Sequence, residues 1–156
     1  MVLGIVASDG QKCPPYFFPC GLKITAAVYI EVMRTHVLPW LERTYPAGNY
    51  IWQQDSAPAH KAKKTQKWLG DNLAAFWPWT LWPPAAPDNN PLDYAVWGVL
   101  DGKVRAIRHS SVDHLKASIS REWESMSEAF IRKSCRSFRG RLEALIEAEG
   151  GHFEKH

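Results

Sequence analysis

Residues 48–60 read Gly48-Asn49-Tyr50-Ile51-Trp52-Gln53-Gln54-Asp55-Ser56-Ala57-Pro58-Ala59-His60. Gly48-Asn49 ends one element, and Tyr50 to Gln53 has the aromatic and β-branched character of a short strand. The residues from Ala59 to about Asn72 then read as a helix with a basic side. A strand that delivers a carboxylate near its carboxyl end and passes into a helix is a building unit of α/β folds, which gather their sites at that end.

Towards the N-terminus, Met1 to Ser8 is short and apolar and reads as a strand, and Asp9-Gly10 is a hairpin turn signal. Tyr16-Phe17-Phe18 is the expected return strand, bounded by Pro14-Pro15 and Pro19. Thr25 can cap a helix running to about Tyr45, with Val28, Val32, Leu38 and Leu41 on its apolar side. Pro39 removes a backbone donor inside that helix and should kink or interrupt it. Towards the C-terminus, Ala75-Phe76-Trp77 reads as a short buried strand. The five prolines between Pro78 and Pro91 exclude a helix there. Asn90 as N-cap and Pro91 at the first helical position open a helix through Trp97 and Leu100 to about Ile107. Ser111 caps a further helix to about Met126. Ser127 caps the last, where Ile131, Cys135, Phe138, Leu142 and Leu145 recur as one apolar stripe and Gly150-Gly151 make the stop. The order predicts a single α/β domain over residues 1–156, a mixed sheet covered by helices.

Composition agrees. The chain has 156 residues, 46% hydrophobic and 22% charged, which excludes a disordered or low-complexity chain. No apolar run reaches the ~18 residues of a membrane-spanning helix, and the start does not read as a signal peptide, so no membrane partner is expected. Three cysteines without CxxC spacing fit neither a disulfide framework nor a zinc site. The net charge of +3 is mild. Its distribution is uneven: Lys61, Lys63, Lys64 and Lys67 form one cluster, and Arg132, Lys133, Arg136, Arg139 and Arg141 another.

Two carboxylates stand out. Asp55 follows the strand, and Asp93 lies in the first turn of the helix opened by Asn90-Pro91, with 37 residues between them. A loop, a helix and a strand fit that interval, so the chain can return to the same sheet edge. Hard oxygen ligands of this kind suit Mg²⁺ or Mn²⁺, and a pair of such ions serves phosphodiester chemistry. Each residue also has a plainer reading, Asp93 as a stabiliser of free amides in a first helical turn and Asp55 as a turn residue. His60 could touch a phosphate or a metal-bound water, or be a hydrogen-bonded, partly buried histidine. Lys61, Lys64 and Lys67 could contact nucleic-acid phosphates or form a solvated face.

Taken together, GNYIWQQDSAPAH resembles the block around the second catalytic aspartate of mariner-like transposases, and WPPAAPDNNPLDYAVWG the block around their third catalytic acid. VYIEVMRTHVLPWL and IEAEGGHFE extend the resemblance over nearly the whole chain. It implies an RNase H-like fold and a DDE/D enzyme that cleaves and joins DNA with Mg²⁺ or Mn²⁺. Asp55 then matches the second acid and Asp93 the third, so both become metal ligands and catalytic residues. Asp88 matches a structural aspartate of the preceding loop, and His60, Lys61, Lys64 and Lys67 become candidate DNA-backbone contacts. Where the family has Ser-Pro-Asp-Leu-Asn-Pro, this chain reads Ala86-Pro87-Asp88-Asn89-Asn90-Pro91. The family's first strand, with the first aspartate, and its helix-turn-helix DNA-binding region have no counterpart upstream of Met1. The expectation is a partial catalytic domain whose sheet lacks its central strand, inactive or nearly so alone. A non-catalytic nucleic-acid-binding module is the alternative. The resemblance further implies a DNA partner, a nuclear location and a possible homodimer.

Overall fold

A computed structural model describes residues 1–81 and 89–147. The expectations on Asp88 and the Gly150-Gly151 stop lie outside the described residues. The chain divides into two compact units, one built from Met1–Pro19 with residues 89–147, the other from residues 20–81.

In the first unit, strands β1 (Val2–Val6) and β2 (Lys12–Phe17) pair antiparallel around the Asp9-Gly10 turn. Gly10 sits at φ 99°, in the left-handed region that favours glycine. The Asp9 side chain accepts from the Gln11 N–H at 3.0 Å, and Arg132 donates to the Asp9 carbonyl at 2.5 Å. The return strand starts earlier than expected and contains Pro14-Pro15 instead of stopping at them. Leu3 pairs with Tyr16 and Ile5 with Cys13, so β2 carries an extra residue at the prolines. Two consecutive residues without N–H donors cannot keep a regular ladder, and a bulge absorbs them.

Helices α5 (Trp97–Arg105), α6 (Val112–Ser125) and α7 (Glu128–Glu147) complete this unit. Their ends follow the sequence. Ser111 accepts from His114 N–H, and Ser127 accepts from Phe130 N–H at 3.2 Å. The core is Val96, Leu100, Val104, Trp123, Met126 and Ile131, flanked by Val6, Leu92, Trp97, Leu115, Ile119, Phe130 and Cys135. Each such apolar side chain contributes about 1.5–3 kcal/mol when fully buried. Trp123 also donates its indole N–H to the Cys13 carbonyl at 2.9 Å, which ties α6 to β2.

In the second unit, Thr25 caps α1 (Ala26–Val32) by accepting from Val28 N–H at 3.3 Å. The predicted interruption at Pro39 takes another form. A π-helical turn over Met33–Val37 joins α1 to α2 (Leu38–Thr44), and Pro39 occupies the first turn of α2. The wider turn comes just before the ring that lacks a donor, and helical backbone continues through it to Thr44. The predicted strand at Tyr50–Gln53 is reduced to one parallel bridge between Trp52 and Phe76. Trp52 N–H donates to the Ala75 carbonyl and Trp77 N–H to the Trp52 carbonyl, both at 2.9 Å. The predicted helix from Ala59 to Asn72 is two helices, α3 (Pro58–Lys61) and α4 (Lys63–Asn72). The break is Ala62, whose ψ of 135° is extended. Thr65 donates to the Ala59 carbonyl at 2.6 Å and Gln66 to the His60 carbonyl at 2.9 Å. These side chains satisfy the carbonyls that the break frees. Among the described residues, the expected mixed sheet is thus one hairpin in the first unit and one bridge in the second.

Candidate functional site

Asp55 lies in the second unit, in the loop between the Trp52 bridge and α3. Its Oδ1 accepts from Ala57 N–H at 2.9 Å, the turn geometry that short acidic residues favour. The same oxygen is 2.6 Å from His60 Nδ1. The hydrogen bond from His60 is the main reason the Asp55 carboxyl titrates below its ordinary value; burial opposes it, and the Ala57 amide assists. The group is therefore an ionised carboxylate at neutral pH, and its side chain is 48% exposed.

His60 is held from several sides. Its ring lies 4.3 Å, centroid to centroid, from the buried Tyr29 ring. The Tyr29 hydroxyl donates to Gln54 Oε1 at 2.8 Å, and Trp52 Nε1 donates to the same oxygen at 3.2 Å. The Gln54 amide in turn donates to the His60 carbonyl at 3.3 Å. Burial, with the Asp55 charge adding to it, pushes the Tyr29 hydroxyl well above its ordinary value, so it stays protonated and can donate. Sequence reading singled out Asp55 and His60 but missed Tyr29 and Gln54. Gln54 adjoins Asp55, which was a usable signal. Tyr29 lies on α1, and nothing in its helical spacing points towards residue 60.

Asp93 lies in the first unit, exposed, in a π-helical turn over Leu92–Val96 that leads into α5. Asn90 starts the element as expected, accepting at its side chain from Leu92 N–H at 3.1 Å and at its carbonyl from Asp93 N–H at 2.9 Å. Single π turns are rare and are frequently found at functional sites. The neighbouring Tyr94 donates to the Ser134 carbonyl at 2.5 Å with the Arg141 guanidinium 4.0 Å from its ring. Burial pushes the Tyr94 hydroxyl up to about 12.

The basic residues divide. The break at Ala62 puts Lys61 on α3 and Lys64 and Lys67 on α4, so they do not share one helix. Lys61 stacks over the Trp79 ring at 5.6 Å, and Lys67 pairs with Asp71 at 2.7 Å. Lys64 is exposed. Of the arginine cluster, Arg132 pairs with Glu128 besides holding the hairpin turn, and Arg139 pairs with Glu143 at 2.9 Å. Among the described residues no group of three or more His, Cys, Asp or Glu side chains is placed to hold a metal ion. No described helix is long and apolar enough to cross a membrane.

No family model matches the chain. Its sequence is 26% identical over 122 residues to the Tc1 transposase of Caenorhabditis elegans, an alignment covering 78% of this chain and 43% of that protein. With the Tc3 transposase of the same organism it is 27% identical over 130 residues, covering 82% of this chain and 38% of that one. The chain thus spans about two fifths of the length of these relatives. Its fold is that of the Mos1 transposase catalytic domain, with a TM-score of 0.85 over 98% of this chain and 76% of that one, at 19% identity. Mos1 has been solved with Mg and in a paired-end complex with the left transposon end. The chain resembles the mariner and Tc1 transposases, as its two acidic blocks indicated, and the resemblance is to their catalytic domain.

Proposed function

We propose that these residues form the C-terminal part of a DDE/D transposase catalytic domain, with Asp55 and Asp93 as carboxylate ligands to Mg²⁺ or Mn²⁺. The observation that carries the reading is the Mos1 catalytic-domain fold over 98% of the chain, with each acid at the predicted element boundary. The donor chemistry fits: carboxylate oxygens are the hard ligands such cations take, and Asp55 is held ionised. Bound there, the cation would supply the charge that activates a nucleophile and steadies a leaving oxygen in phosphodiester cleavage. The chain's own part is to hold two anions on short, anchored elements and to meet the DNA backbone with His60, Lys61, Lys64 and Lys67. The partner is then transposon DNA, handled in the nucleus and by a homodimer in the intact enzyme.

The resemblance calls for three carboxylates, and two are matched here. Two divalent ions held close together repel, and the loss of a shared anionic ligand weakens the hold on at least one. We infer that residues 1–156, matching two of those three acids, are catalytically silent by themselves. Mg²⁺-dependent nicking of plasmid DNA that disappears in Asp55→Ala would overturn this. The lack of a three-ligand cluster among the described residues favours one second reading, a non-catalytic nucleic-acid-binding module. DNA affinity measured against salt, with and without Mg²⁺, separates the two. Metal-dependent affinity lost in Asp93→Ala supports the residual metal site, and a steep salt slope with no metal effect supports the module. Absence of any DNA binding overturns both.

A further inference from the structure

The second unit spends much of its buried polar chemistry on one residue that is not itself an acid. His60 is 15% exposed at its side chain, whereas its partner Asp55 is 48% exposed. The ring is flanked by Tyr29, and the backbone carbonyl of His60 accepts from both Gln54 and Gln66. Its N–H donates to the Ala57 carbonyl at 2.9 Å. An ionised carboxylate has no proton to give, so at the 2.6 Å contact the imidazole Nδ1 is the donor. Among the described residues the hydrogen bonds to the Asp55 side chain, from Ala57 and His60, both fall on Oδ1.

We propose that His60 is a positioning residue for Asp55: clamped by Tyr29, Gln54 and Gln66, its Nδ1–H fixes Oδ1 and leaves Oδ2 as the oxygen offered to a cation. The inference rests on the reading of Asp55 as a metal ligand. It adds that the ligand's orientation comes from a histidine five positions on, and through that histidine from α1 and α4. Outer partners that orient a metal-ligating group commonly matter to affinity by about 10–100-fold. His60 touches no reacting atom in this account and is not a catalytic residue.

The test uses the full chain, labelled with ¹⁵N, and two readouts by NMR. The first needs no metal: hydrogen exchange of the Ala57 amide, which donates to the Oδ1 that His60 fixes. The second is paramagnetic broadening around Asp55 on titration with Mn²⁺ alone. In His60→Ala, Ala57 exchange should accelerate at least about tenfold and Mn²⁺ affinity at Asp55 should fall by about 10–100-fold. His60→Asn, whose side-chain amide can donate from the place of Nδ1, should restore both to within about threefold, which a merely space-filling role would not do. Tyr29→Phe keeps the ring contact and loses the hydroxyl bond to Gln54. It should give a smaller loss of the same kind, and it serves if His60→Ala does not fold. Unchanged Ala57 exchange in His60→Ala, or no rescue by asparagine, overturns the proposal. If the native chain shows no broadening at Asp55, the metal-ligand reading fails, and the Ala57 readout still decides whether His60 positions the carboxylate.

Discussion

Replacing Asn89 by leucine should stabilise the protein. Asn89 is fully buried, and neither its side-chain oxygen nor its nitrogen has a hydrogen-bond partner among the described residues. An amide taken from water without compensation costs about 1–3 kcal/mol by protein mutational scales. Leucine has the same number and branching of side-chain heavy atoms, so the exchange removes that cost, less what its bulkier methyl groups demand of the surroundings. The resemblance places leucine at this position in the family. Asn90, the next residue, makes the contrast. Its side chain accepts from Leu92 N–H at 3.1 Å, and loss of such a helix-opening bond costs about 1 kcal/mol. Neighbouring asparagines should therefore respond with opposite signs. At roughly 2–4 °C per kcal/mol for a chain of this size, Asn89→Leu should raise Tm by roughly 3–10 °C and Asn90→Leu lower it by a few degrees. Thermal unfolding followed by circular dichroism, with coincidence of near- and far-ultraviolet transitions to establish two-state behaviour, reads both. An Asn89→Leu variant that melts at or below the native temperature would refute the reasoning, because the amide would then be satisfied.

Other expectations follow from single contacts. A Cβ on Gly4 would lie 2.6 Å from the Trp97 ring and 2.7 Å from the Trp123 ring, and Trp123 is tied to the Cys13 carbonyl. Gly4→Ala should cost about 1–3 kcal/mol by overpacking, whereas Gly102→Ala, with open space at its Cβ, should gain about 0.5–1 kcal/mol as a helix substitution; equal melting temperatures for the two variants would contradict this. Asp55 has a lowered folded pKa, so its contribution to stability is fully present above the unfolded value of about 4 and is lost as pH falls through the folded value. Denaturant unfolding of Asp55→Asn should accordingly fall short of the native chain at pH 7 and converge with it in acid; a gap that does not narrow as the pH is lowered would point to a different cause. Thiol labelling should modify the exposed Cys20 first and the fully buried Cys13 last, with Cys135 slowed because burial raises its pKa. Labelling of Cys13 ahead of Cys20 would contradict the packing of β2.

The hairpin, the helix starts at Thr25, Asn90, Ser111 and Ser127, and the apolar stripe of α7 were legible because each rests on local chemistry: a turn dipeptide, a capping oxygen, a repeat of apolar residues. What escaped depended on partners distant in sequence. The break at Ala62 is stabilised by Thr65 and Gln66 reaching back to the carbonyls of Ala59 and His60, which no propensity encodes. The short strand at Trp52 needed a parallel partner at Phe76, and its pairing extends over a single bridge. At the candidate site, Asp55 and His60 were visible as residue types in a telling order. Tyr29 was not, since its role arises from α1 packing against α3 and α4. The burial of Asn89 was equally hidden, although its departure from the family's leucine marked the position.

The central proposal is that Asp55 and Asp93 are ligands of a divalent cation. Iron(II) bound in place of Mg²⁺, with ascorbate and peroxide, generates hydroxyl radicals that cut the nearby backbone, and mass spectrometry locates the cuts. The account predicts cleavage near residues 55 and 93, suppressed by excess Mg²⁺, with the cut near each acid lost when that acid is replaced by asparagine. Cleavage near one acid alone, or a cut at residue 55 that survives Asp55→Asn, would contradict it.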